Sequence, residues 1–230
     1  MDESLQTVNR GYAIPGTDER NRVLRNTYWL LALSMVPTVL GAWIGVATGF
    51  MATMGPGMSA IIFLAGAFGF IFAIEKNKNS AAGVPVLLAF TLFMGLMLSR
   101  LIGHVLGFSN GATLIMTAFA GTGGIFLGMA TLSSVIKRDL SSMGKFLFIG
   151  AVMLLIAGIL NIFLQSSALF ITIAVLIIGV FSAFIVYDLK RVKDGLETNY
   201  ISATLSIYLD LYNIFQALLS IFGIFGGNRD

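Results

Sequence analysis

An aspartate stands about eleven residues into a stretch, 199–223, that is long and apolar enough to cross a bilayer. That single residue, Asp210, limits what can surround it. An ionisable group at mid-membrane costs at least ~2.5–3.5 kcal/mol even on permissive insertion scales. Asp210 is not alone on its face. Asn199, Ser202, Ser206, Asp210, Asn213 and Ser220 follow at steps of three, four, four, three and seven, which align them on one side of a helix. Ile201, Leu205, Ile207, Leu211 and Ile214 fill the other sides. Such a stripe must face protein or a water-filled cavity. The stretch therefore reads as a central helix with others packed around it, and Asp210 as the leading functional candidate.

Six further apolar runs precede it, at about 27–50, 57–74, 83–106, 111–136, 144–164 and 168–189. Only 11% of the 230 residues are charged and 57% are hydrophobic, against about 25% charged in a soluble domain. The fold class is an all-α integral membrane protein of seven transmembrane helices, the polar seventh central. Its organisation is a flexible N-terminal tail at 1–26, broken by Pro15-Gly16, a helical domain at 27–225 and a short C-terminal tail at 226–230. The polar start and the length of the first apolar run do not resemble a cleavable signal. Basic residues mark alternate connections: Arg20, Arg22 and Arg25, then Lys76 and Lys78, then Lys137, Arg138 and Lys145, then Lys190, Arg191 and Lys193. The intervening turns, near Gly55, Ser109 and Ser166, carry no Lys or Arg. The positive-inside rule then places the N-terminus in the cytoplasm. Seven spans place the C-terminus outside; six, with the last re-entrant, would return it. A formal net charge of +3 reflects this loop placement and predicts no nucleic-acid partner. The absence of cysteine excludes disulfides and thiolate metal sites.

A second aspartate, Asp188, closes the sixth run in Tyr187-Asp188-Leu189. Consecutive antiparallel helices bring the two carboxylates together only if the turn is centred near 199. The obvious turn, Asp194-Gly195, leaves them on the order of 12 Å apart in depth. Contact requires the sixth helix to end early, or the segment after Lys190 to run aside before the seventh begins near Asn199. Two carboxylates in contact share one proton, which makes the pair a pH switch and a cation site. Asp188 as a solvated interface residue, with Asp210 a protonated packing group, is the alternative. Ser202, Ser206 and Asn213 either support the ion site or join helices by hydrogen bonds. Arg100 and His104, at i and i+4 near the outer end of the third run, read as interface residues. Gly124 and Gly128 read as a small-residue packing face. Trp29, Trp43, Tyr200, Tyr208 and Tyr212 read as packing or interfacial residues. No HExxH, Walker loop or serine nucleophile with a base is present, and the last helix lacks the lysine a retinal protein needs. Intramembrane aspartyl proteases need Gly-x-Gly-Asp where this chain has Ile207-Tyr208-Leu209-Asp210. The chain reads as a non-enzyme without a cofactor.

The pattern at 181–192 (FSAFIVYDLKRV) and 201–223 resembles the Bax inhibitor-1 family over essentially the whole chain. The segments RVLRNTYWLL at 22–31, ETNYI at 197–201, YNIF at 212–215 and LLSI at 218–221 resemble its bacterial YccA branch. The resemblance implies a seven-helix inner-membrane fold with the last helix central. It implies that Asp188 and Asp210 form a pH-sensing latch on a cation (calcium) leak. A basic residue near the cytoplasmic end of the second helix would pair with the latch; here that region is Glu75-Lys76-Asn77-Lys78. The YccA branch implies a different role, association with the membrane protease FtsH and its HflK/HflC partners as a modulator, with the N-terminal tail suited to engagement.

Overall fold

The computed structural model describes residues 16–51 and 53–227. Among them are seven helices: α1 (Thr17–Thr48), α2 (Pro56–Asn77), α3 (Gly83–Leu106), α4 (Gly111–Val135), α5 (Met143–Leu164), α6 (Ser167–Lys193) and α7 (Tyr200–Gly226). All seven are long and apolar enough to cross a membrane. This is an all-α integral membrane protein, and α7 is a full span.

The first boundary differs from the sequence expectation. Gly16 is the N-cap of α1, with Asp18 and Glu19 in the first turn, where carboxylates suit the helix dipole. Residues 17–26, read from sequence as tail, are thus the first turns of a 32-residue helix. That helix is about 48 Å long, well beyond the ~30 Å hydrocarbon core. Residues 1–15 and 228–230, the rest of the two predicted tails, lie outside the described residues.

Lipid provides no hydrophobic drive between helices, so close backbone approach and interhelical hydrogen bonds hold the bundle. The closest approach is between α1 and α3. A Cβ on Gly41 would collide with the Leu92 carbonyl, one on Gly95 with the Thr38 carbonyl, and one on Gly45 with the Ser99 side chain. The packing glycines of this helix pair are therefore Gly41, Gly45 and Gly95. Gly124 and Gly128, expected to form such a face, have nothing within 4 Å of an added Cβ. Small residues permit an approach, but α4 offers no neighbour on that side.

α7 contacts α1, α2, α3, α4 and α6, whereas α5 contacts α6 alone and has no buried residue. Hydrogen bonds fix α7 in the centre. The Tyr208 hydroxyl lies 2.9 Å from Thr38 Oγ1, Tyr212 Oη donates to the Met94 carbonyl at 3.3 Å, and Thr204 Oγ1 reaches the Thr27 carbonyl at 3.3 Å. The three are interior packing groups. Trp29 and Trp43 are surface residues, 73% and 67% exposed.

The four basic segments gather at one end. Arg20 donates to the Lys193 carbonyl. Lys193 Nζ donates to the Ser133 and Ser134 hydroxyls, each at 2.6 Å, and Asn199 reaches the α2–α3 turn. At the other end Asn110 donates to the Gly226 carbonyl, and Arg100 donates to the Met54 carbonyl and to Ser59 Oγ.

Candidate functional site

The α6–α7 connection creates the site. α6 runs to Lys193 and is followed by Gly195 at φ 76°, a left-handed conformation that glycine adopts without cost. The turn lets the Arg191 carbonyl accept from both Leu196 N and Glu197 N. The chain then runs aside to Asn199. Its Oδ1 accepts from Ile201 N and Ser202 N, the N-cap of α7. Its Nδ2 donates to the Lys78 carbonyl at 3.0 Å and to Asn79 Oδ1 at 2.8 Å. This meets the second of the two conditions set by sequence: α6 does not stop early, but the connector bends away and α7 starts at Tyr200.

Asp188 sits five residues before the end of α6 and Asp210 ten residues after the start of α7, about 7.5 Å and 15 Å along the two axes. Both are buried, at 8% and 4% exposure, and they are close enough to interact electrostatically. No hydrogen bond joins them among the described residues. Their surroundings differ. The Asp188 carboxylate lies 3.8 Å from Arg191 Nη1. Arg191 Nη2 lies 3.6 Å from Glu197 Oε2, and the guanidinium stands 5.7 Å from the centre of the Tyr187 ring. Among the described residues Asp210 has no such counter-charge, and its Oδ2 is buried with no hydrogen-bond partner. A buried charge without a partner is costly.

Arg191 and Glu197 form an ion-pair chain with Asp188 that the sequence reading passed over. The Asp188–Arg191 spacing of three was a usable signal; the pairing with Glu197 depends on the turn. Among the described residues no basic partner from 75–78 reaches the aspartates: Lys78, the residue after α2, pairs with Glu75 in the last turn of that helix. Of the supporting stripe, Ser202 and Ser206 are part-buried without interhelical bonds, and Asn213 Nδ2 donates to the Leu209 carbonyl one turn back at 2.8 Å. The best-covered faces of α7 are the tyrosine and aliphatic ones. His104 is exposed beside Phe108, 5.4 Å between ring centres, far along the chain from both aspartates.

The family model described as "Inhibitor of apoptosis-promoting Bax1" matches residues 20–227. The chain belongs to this family. An "Uncharacterized membrane protein" of Vibrio cholerae is 38% identical over 223 residues, 95% of this chain and 96% of the relative. The "Modulator of FtsH protease YccA" of Escherichia coli K12 is 36% identical over 203 residues, 88% of this chain and 90% of the relative. The "Inner membrane protein YccA" of E. coli O6:H1 matches to the same extent. The alignment with these Bax inhibitor relatives covers nearly the whole helical bundle, and seven membrane-long helices make this family member a multi-pass inner-membrane protein.

Proposed function

We propose that this protein is a pH-sensitive cation leak gated by the Asp188/Asp210 pair. The observation that carries the reading is the Asp210 carboxyl group: on the central helix it is buried in the bundle, its Oδ2 has no hydrogen-bond donor among the described residues, and it lies in the field of Asp188. A change in its proton or cation occupancy alters the charge balance across the α6–α7 contact, and Arg191 is placed to compensate on the Asp188 side. The family resemblance makes calcium the first cation to test. The N-terminus is cytoplasmic and the C-terminus periplasmic, on the strength of the basic segments at one end.

The decisive experiment is cation flux into proteoliposomes across about pH 6 to 8. Asp210→Asn keeps size and hydrogen bonding but cannot ionise, so it abolishes the pH dependence and leaves the fold intact. Asp188→Asn does the same, and the double variant is no worse than either, because coupled sites are non-additive. No wild-type flux, or full pH dependence in Asp210→Asn, removes the latch.

A second reading comes from a relative's name. The E. coli K12 protein is named a modulator of FtsH protease, so a non-enzymatic modulator of FtsH, working with HflK/HflC in membrane-protein quality control, is the alternative. It depends on residues 1–15 and the projecting turns of α1 rather than on Asp210. Deletion of 1–15 that leaves turnover by the protease unchanged counts against it. Survival of that effect in Asp210→Asn separates it from the leak.

A further inference from the structure

The basic end of α1 carries a cleft that has no part in the aspartate site. From Asn26 to Thr48 the helix holds no charged residue. That length is about 34 Å, enough to cross the ~30 Å hydrocarbon core. Arg25 therefore stands where the hydrocarbon meets the headgroups. A cleft of about 390 Å³ lies at this level, lined by Asn21, Leu24, Arg25, Tyr28 and Trp29. Spacings of three and four bring these side chains together on one flank of the helix. Tyr28 forms the wall nearest the bundle, its ring edge-on to Phe126 of α4 with 6.1 Å between centres. α1 and α4 make no close backbone contact among the described residues. On the other side Trp29 is largely exposed.

The chemistry of the cleft changes with depth. Asn21 and Arg25 place an amide and a guanidinium at the rim. One turn deeper Tyr28 and Trp29 present an O–H and an N–H on large apolar rings. Among the described residues Arg25 makes no ion pair or hydrogen bond, and Tyr28 Oη has no partner. The nearest carboxylates on the same helix, Asp18 and Glu19 in its first turn, are set back by about 9–10 Å along the axis. The complementary molecule has an anionic phosphate level with Arg25, polar ester groups about 6 Å deeper and hydrocarbon beyond. That is the order of groups in a glycerophospholipid. An arginine fork pairs with phosphate through two parallel bonds. A zwitterionic headgroup brings its own cation toward Arg25, so the fit favours a headgroup with net negative charge.

We infer that this cleft holds an anionic glycerophospholipid of the basic-end leaflet, its phosphate on Arg25 and Asn21 and its ester region against Tyr28 and Trp29. The chain has two tryptophans, Trp29 and Trp43, so the lipid at the cleft can be read by fluorescence. In Trp43→Phe the only indole is Trp29. That protein is reconstituted in phosphatidylcholine vesicles containing a small share of either phosphatidylglycerol or phosphatidylcholine brominated near the ester end of its chains, and bromine in contact quenches the indole. Phosphatidylglycerol should be preferred at Trp29 about fivefold, equivalent to the ~1 kcal/mol that one basic residue gains beside anionic lipid. Arg25→Gln in the same background should remove the preference. Arg22→Gln takes the same charge from the same end but does not line the cleft, and should leave the preference in place. Trp29→Phe makes Trp43 the reporter, about 21 Å farther along the helix, and should show no preference. Equal losses in Arg22→Gln and Arg25→Gln mean diffuse surface charge and overturn the site. A Trp29 that neither lipid quenches assigns the cleft to a protein partner and overturns it too. Absence of any preference in Trp43→Phe overturns it whatever the arginine variants do.

Discussion

Thr38 Oγ1 serves two partners, donating to the Ser34 carbonyl at 2.8 Å and meeting the Tyr208 hydroxyl at 2.9 Å. Interhelical hydrogen bonds in membranes contribute about 0.6 kcal/mol on average and up to about 1.7. Tyr208→Phe and Tyr212→Phe should each lower stability by that order, read from unfolding in mixed detergent. A Thr38→Val/Tyr208→Phe double-mutant cycle should show coupling of similar size; independent effects would mean the contact does not form. In the α4–α5 turn, Asp139 accepts from Ser141 N at 2.8 Å and from Ser141 Oγ at 2.9 Å. These two bonds, the backbone one first, hold its carboxyl group below the usual carboxylate range. The turn is therefore intact above the ordinary carboxylate pKa of about 3.9 and loosens as pH falls through the lower, folded value. A carboxyl titration by NMR that midpoints at or above the ordinary value contradicts this. Residue chemistry was unevenly legible. Asp210 and Asp188 stood out because a carboxylate in an apolar run has few tolerable settings. The Arg191–Glu197 contact was not legible, since it exists only because the chain turns back at Gly195.

Between elements, α1 and α3 supply the sharpest test. Gly95→Ala places a methyl group against the Thr38 carbonyl, a backbone atom that cannot step aside. Overpacking of this kind costs about 1–3 kcal/mol, and the variant should lose thermal stability in detergent. Gly124→Ala, with open space around it, should stay within about 0.5 kcal/mol of the parent. Equal effects would mean α1 and α3 do not meet as described. The existence and order of all seven helices were readable from hydropathy, and the first boundary was not, because Thr17 to Asn26 is mostly polar, with only Val23 and Leu24 apolar. The small-residue spacing at Gly124 and Gly128 was equally visible in sequence but carried no information about a neighbour. The polar stripe of α7 was legible as a spacing. That Asp210 on it is buried while Ser206, Asn213 and Ser220 are part-buried depends on which helices stand opposite, which no local pattern encodes.

For the whole molecule, the basic segments at one end predict that a reporter fused after Asp230 reads periplasmic and one at Gly144 cytoplasmic; a cytoplasmic reading after Asp230 would contradict the proposed orientation. Removing residues 1–15 should leave a folded, monodisperse protein, whereas a deletion through Arg20 also removes its bond to the Lys193 carbonyl. Centrality also has a consequence in time. The helix that five others surround follows all of them in the chain, and it is among the least apolar of the seven. A ribosome delivers the outer wall first and the axle afterwards. Until Tyr200 and the residues beyond it emerge, Thr27, Thr38 and Met94 present oxygens to a slot with nothing in it. A chain halted at Asn199 should be cleared rapidly in a pulse-chase, and a long-lived six-helix product would contradict the order. Each molecule thus passes through an interval in which it resembles a damaged membrane protein, and leaves that state only when its last helix slides home.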